Sequence, residues 1–216
     1  MLFRSQLFPL WLDLASVGVG AFQGALFAIV KKRFDLVGVI ALAILTGLGG
    51  GIVRDLLLGV GRPSGMQDKY LLTALASVIA ALIYGKYVRE NTKLVTILDS
   101  ITTALFAIAG TYKAILFGSS ALVAVMLGII TAVGGGILRD VVSRNTPQIF
   151  TGGPLYATAT AIGSAIFVAL NKTEINSDVT VVICVVAIFA IHMVSIRFRL
   201  YLKPALPNLD QPEKDE

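Results

Sequence analysis

Seven windows of nearly unbroken apolar residues follow one another along the chain, separated by short polar stretches: Leu10 to Val30, Leu36 to Leu58, Tyr70 to Tyr87, Leu94 to Phe117, Ala121 to Leu138, Leu155 to Leu170 and Val179 to Ile196. At 1.5 Å rise per residue, each covers most or all of a hydrocarbon core about 30 Å thick. The apolarity is continuous instead of alternating over ten residues, which is the signature of helices and argues against a membrane barrel. The pattern predicts an all-α membrane protein with seven transmembrane helices. The first window carries Asp13 and is too long for a signal-peptide core, so it reads as a retained helix.

Composition strengthens this reading. Of the 216 residues, 56% are hydrophobic and 14% charged, and the mean hydropathy is +0.84, beyond the roughly half-apolar usage of soluble domains. The loops are too short for a separate soluble domain. Residues 1-203 therefore read as one transmembrane domain, and the Pro-rich, charged segment 204-216 as a disordered tail. The lone Cys184 supports neither a disulfide framework nor a metal site.

Charge adds a direction. With helices alternating across the membrane, one side collects Lys31, Lys32, Arg33, Lys86, Arg89, Lys93, Arg144, Arg197, Arg199, Lys203 and Lys214, and the other holds only Arg4, Arg62, Lys69 and Lys172. The richer side is expected in the cytoplasm, with the N-terminus outside and the C-terminus inside a multi-pass cell-membrane protein. The net charge of +5 is thus a topology signal. Cations spread through short loops form no nucleic-acid patch, so membrane lipids are expected partners and nucleic acid is not.

The sequence also resembles itself at a shift of about 85 residues. Leu12-Asp13 aligns with Leu98-Asp99, Gly24 with Gly110, GGGIVRD at Gly49 to Asp55 with GGGILRD at Gly134 to Asp140, Pro63 with Pro147 and Tyr70 with Tyr156. Each unit holds three spans, an odd number, so the second must be inverted. The repeats run over about 10-88 and 94-171, with a seventh helix at about 179-200 outside them. Inverted repeats are a plan of transport proteins, with the functional path near the midplane where the units meet.

Two motifs carry the candidate chemistry. Each glycine in a helix interior costs about 1 kcal/mol relative to alanine, so the triplets Gly49, Gly50, Gly51 and Gly134, Gly135, Gly136 are expected to break their helices and offer free carbonyls to a cation in a wet path. The competing reading is close helix packing. Intramembrane charges face protein or water; here they are Asp13, Arg54, Asp55, Asp99, Lys113, Arg139 and Asp140. Successive helical residues project about 100° apart, so Arg54 is expected to be a poor partner for Asp55, and Arg139 for Asp140. Shared depth predicts Asp13 with Arg54 and Asp99 with Arg139, either as structural neutralisation or as part of a permeation path.

Lys113 breaks the repeat, since its counterpart is Phe27. Near the outer mouth it would repel a passing cation and feel the membrane field, or snorkel and pair with Asp55. His192 has no companion in metal-like spacing and reads as a satisfied or interfacial histidine. No Ser/His/Asp set, phosphate loop or metal motif is present, and GLGGG at Gly47 lies within a span, outside any dinucleotide-binding context. No enzyme function is expected.

The seven spans, the three-plus-three repeat and the doubled GGGIVRD and GGGILRD motifs resemble the trimeric intracellular cation channels, in particular their prokaryotic branch, over roughly residues 10 to 200. The resemblance implies a homotrimer with a pore through each protomer, bounded by the first, second, fourth and fifth helices. It implies passage of potassium or another monovalent cation such as sodium, with no cofactor and no metal beyond these transient ions. It also maps the six glycines onto the family's helix kinks and Lys113 onto its fourth-helix lysine. Asp13 and Asp99, which flank the glycines, are the candidate ion-attracting groups. The alternative within the same repeat plan is a secondary transporter of glycine or another small solute.

Overall fold

Each apolar window folds as a helix in the computed structural model, which describes residues 8–32, 34–88, 92–150, 155–173 and 175–200. In order these are α1 (Leu10–Phe27), α2 (Leu36–Leu58), α3 (Asp68–Val88), α4 (Thr92–Leu116), α5 (Ala121–Val142), α6 (Tyr156–Leu170) and α7 (Ser177–Arg197). A π-helical turn, Ala28–Lys32, continues α1. Polar residues mark helix starts: the Asp35 side chain accepts from the Gly38 amide, Ser120 from Val123 and Asn176 from Asp178. Gly59, at φ 65°, ends α2 in the left-handed conformation that glycine adopts most cheaply. The expected tail 204-216 lies outside the described residues.

Six of the helices are long and apolar enough to cross a membrane. The exception is α6, whose 15 residues reach only about 22 Å at 1.5 Å per residue. The seven expected helices are present among the described residues, but the sixth is short of a full span.

The packing follows the repeat. α1 lies on α2 and α4 on α5, α2 packs against α5, and α1 packs against α4. α3 flanks α1 and α2, while α6 takes the same place beside α4 and α5. α7 covers α4 and α6 from outside this arrangement. Small buried residues such as Ala21, Ala25, Ala43, Ala107, Ala132 and Ala159 let the backbones approach, which supplies packing energy where lipid offers no hydrophobic contrast. Leu57, Ile79, Leu82, Leu122 and Val182 point outward, as a surface facing acyl chains requires.

The glycine triplets do not break their helices. α2 and α5 both run continuously through them, so the expected interruption is not found there. A Cβ on Gly50 would overlap the Thr131 carbonyl oxygen, and a Cβ on Gly135 would overlap that of Thr46. These two glycines are therefore the close contact of α2 with α5, repeated by the internal symmetry. Gly49 and Gly134 sit at the same crossing, within reach of Leu138 and Gly50 respectively. Gly51 and Gly136 differ: a Cβ there would meet nothing nearer than Arg54 Nη2 at 3.8 Å, or Tyr156 Oη at 3.8 Å and Arg139 Nη2 at 4.0 Å. Only the third glycine of each triplet borders the charged groups.

Candidate functional site

The continuous α2 and α5 carry their Arg-Asp pairs to opposite ends of the bundle. At one end, Arg54 Nη1 donates to Asp13 Oδ1 at 3.0 Å and Nη2 donates to Asp13 Oδ2 at 3.4 Å. Arg54 is fully buried, and Asp13 is nearly so. The partnership expected from shared depth is present, α1 supplying the acid and α2 the base.

Arg54 Nε also donates to Asp55 Oδ1 at 2.8 Å, which corrects the expectation that sequence neighbours make poor partners. The 100° offset holds where side chains leave the helix. Arginine has a long stem and donors on several edges of its plane, so its Nη groups reach across to α1 while Nε stays beside the adjacent carboxylate. Lys113 of α4 completes the cluster, with Nζ 2.8 Å from Asp55 Oδ1 and donating to Ser64 Oγ at 2.6 Å. The Ser64 amide donates to Asp55 Oδ2 at 2.7 Å, and Tyr70 Oη donates to Asp13 Oδ2 at 3.0 Å. The Phe8 ring lies 5.9 Å from the Arg54 guanidinium and 5.8 Å from Lys113 Nζ, a cation–π lid over both. Two carboxylates face two cations, and all four are buried.

The other end repeats the plan with fewer parts. Arg139 Nη1 donates to Asp99 Oδ1 and Nε donates to Asp140 Oδ1, both at 2.9 Å. The first bond is the partnership expected from depth; the second corrects the neighbour argument for the same reason as at Arg54. Tyr156 takes the place of Tyr70, but its hydroxyl accepts from Thr103. Where Lys113 stands at the first end, Phe27 lies here, its ring 4.6 Å from the Arg139 guanidinium.

This second end contains a cavity of about 290 Å³, lined by Gln23, Lys31, Asp99, Arg139, Gln148 and His192 among others. Gln23 Nε2 donates to Asp99 Oδ1 at 3.1 Å, while its Oε1, buried, has no hydrogen-bond partner among the described residues. His192 Nδ1 is also buried and unpartnered among them, and the ring meets Tyr156 edge-on with centroids 5.2 Å apart.

The seven charged residues singled out from sequence thus gather into two clusters, both arginines and two of the four acids on α2 and α5 and the other two acids paired with those arginines from α1 and α4. Of the six candidate glycines, Gly51 and Gly136 border the clusters and the other four pack the crossing. Sequence reasoning missed Gln23 and set His192 aside. Gln23 carried a signal, because its counterpart at the repeat shift is the apolar Ala109.

Comparison with known proteins places the geometry. A family model described as glycine transporter matches twice, at residues 10–86 and 96–172, each match covering one three-helix unit. Two similar proteins are a UPF0126 membrane protein of Deinococcus radiodurans, 40% identical over 71% of this chain and 72% of its own length, and the UPF0126 inner membrane protein YadS of Escherichia coli, 33% identical over 89% and 93%. Among solved structures, one describing conductance through TRIC cation channels superposes with a TM-score of 0.79 at 29% identity, covering 90% of this chain and 96% of that one. The TRIC trimeric intracellular cation channel orthologue from Rhodobacter sphaeroides gives 0.81 at 28% identity, covering 87% and 96%.

Proposed function

This chain belongs to the family that the glycine-transporter model describes, the prokaryotic branch of the trimeric intracellular cation channels, and from that premise we propose that it is a cation channel conducting potassium through each protomer of a homotrimer. The observation that carries the reading is the pair of inverted charge clusters buried inside the bundle. Seven ionised groups at membrane depth are costly, at about 3 kcal/mol or more for each one left alone. Bundle stability alone would be served as well by apolar residues of similar volume. Placed on α1, α2, α4 and α5 at both ends of one crossing, they instead mark a path for ions.

The path runs between the two clusters beside Gly51 and Gly136. Its Asp99 end, which the distribution of lysine and arginine puts in the cytoplasm, has a cavity that admits cations. Its Asp13 end is shut by Lys113, whose ammonium is held by Asp55 and Ser64. The two sequence-level roles for Lys113 then become two states of one residue: paired with Asp55 it obstructs, and drawn away by the membrane field it opens the mouth. Similar solved proteins are cation channels, which supports reading this chain as a channel.

The family model's description favours a second reading, a transporter of glycine. Single-channel recording separates the two. Reconstituted protein should give discrete, cation-selective currents under a potassium gradient, and Lys113→Ala should raise the current and weaken its voltage dependence. Silent bilayers beside saturable glycine uptake into liposomes would favour the transporter.

A further inference from the structure

The cavity at the Asp99 end has a wall of mixed charge. Lys31 and Arg139 line it as cations and Asp99 as an acid. Phe27 lies against both cations, its ring centroid 4.6 Å from the Arg139 guanidinium and 5.6 Å from Lys31 Nζ. Asp140, the second acid on Arg139, is outside the lining. The lining alone therefore has one positive charge in excess, and with Asp140 behind it the group as a whole is neutral. A lone cation here faces two charges of its own sign, and a lone anion upsets the neutral balance. A molecule that carries both charges leaves none uncompensated, which is the condition for holding ions away from water.

The hydrogen-bonding groups point the same way. Arginine has five N–H donors, of which the bonds from Arg139 to Asp99 and Asp140 use two. The Lys31 ammonium, exposed at the rim, adds more, and such charged donors suit a carboxylate. For a ligand that itself donates, the lining offers Asp99 and Gln23. Arg139 and Gln23 both donate to Asp99 Oδ1, whereas Asp13 accepts on both of its oxygens. Gln23 Oε1 and His192 Nδ1 are buried without a partner among the described residues. The internal repeat explains none of these groups. Gln23, Phe27 and Lys31 stand where the second unit has Ala109, Lys113 and Phe117, and His192 comes from α7, outside the repeat. Departures from the symmetry thus converge on one cavity.

We propose that this cavity binds a small α-amino acid as its zwitterion, the carboxylate held by Lys31 and Arg139 and the ammonium by Asp99 and Gln23 Oε1. Its volume of about 290 Å³ lies at the lower limit of the roughly 300–1,000 Å³ typical of small-molecule pockets, which suits a ligand of few heavy atoms. The site stands on the cavity itself and not on how the chain moves ions. Joined to the channel reading, it makes the Asp99 end a place where a solute obstructs the ion path. Joined to the transporter reading, it is the place where the solute is held.

The chain's single histidine reports on the site directly. In nanodiscs of neutral phosphatidylcholine at fixed pH, the imidazole NMR signals of His192 should shift saturably as glycine, the smallest molecule with both groups, is added. Acetate and methylamine, which carry one group each, should leave the signals nearly unmoved at the same concentration. Lys31→Gln, a change at an exposed position, should weaken glycine binding about tenfold, the share of one hydrogen bond to a charged group. Signals indifferent to glycine would overturn the proposal, as would an equal response to acetate or to methylamine, or an unchanged affinity in Lys31→Gln. Signals that move only when anionic phosphatidylglycerol enters the nanodisc would overturn it in favour of a lipid headgroup. Binding is read at equilibrium and without current, so its absence leaves the channel reading standing, and a silent bilayer leaves the binding result standing.

Discussion

Arg54 and Arg139 each hold two carboxylates, one on a neighbouring helix and one beside them in sequence. Removing such a base leaves two buried acids uncompensated, a change that typically costs about 3–5 kcal/mol. Arg139→Leu should therefore lower the yield of folded protein sharply, and adding Asp99→Asn should restore part of it, as read by size-exclusion chromatography of solubilised membranes. Strictly additive losses would contradict the pairing. The glycines give a second contrast at this scale. Gly51→Ala has room for its methyl and gains helix propensity, so its unfolding free energy should stay level or rise by up to about 1 kcal/mol. Gly50→Ala drives a methyl into the Thr131 carbonyl and should lose about 1–3 kcal/mol. Thermal unfolding in detergent would show the two midpoints moving apart; a lower midpoint for Gly51→Ala than for Gly50→Ala would refute the packing account.

At the scale of elements, the inverted repeat is the frame against which single departures acquire meaning. Lys113 and Phe27 occupy equivalent places: the lysine is held on Asp55, while the phenylalanine lies against Arg139 and lines a cavity of about 290 Å³. Lys113→Phe should make the first end resemble the second and raise potassium flux into liposomes several-fold. Phe27→Lys should supply the missing cation beside Asp140 and reduce the flux. Opposite signs for the two variants are the expected result, and equal signs would show that the lysine is only an anchor.

The helices themselves were legible from the apolar windows, because a bilayer demands long continuous runs and leaves little ambiguity about where they lie. The two charge pairs were legible because inversion fixes depth, and depth selects partners. What the chain did not reveal was the state of the glycines. A triplet reads as a break when its helix is considered alone, and only the facing carbonyls of Thr46 and Thr131 show that Gly50 and Gly135 are needed for a close crossing. His192 was illegible for a similar reason, since a lone histidine on a helix outside the repeat has no partner until the fold brings Asp99, Tyr156 and Arg139 to it.

At the scale of the whole molecule, both charge clusters lie within one protomer, so the proposed pore would not need assembly to be built. We expect a homotrimer nonetheless, on the likeness to solved trimeric channels, and native mass spectrometry from nanodiscs should give three copies; a stable dimer would refute it. The central claim is that the path between the two clusters passes cations, and the reversal potential tests it most directly. Under a tenfold potassium chloride gradient across a planar bilayer, a perfectly cation-selective pore reverses at about 59 mV. The account predicts discrete currents reversing close to that value, with the sign set by potassium. A reversal near zero, or one of the opposite sign carried by chloride, would contradict it.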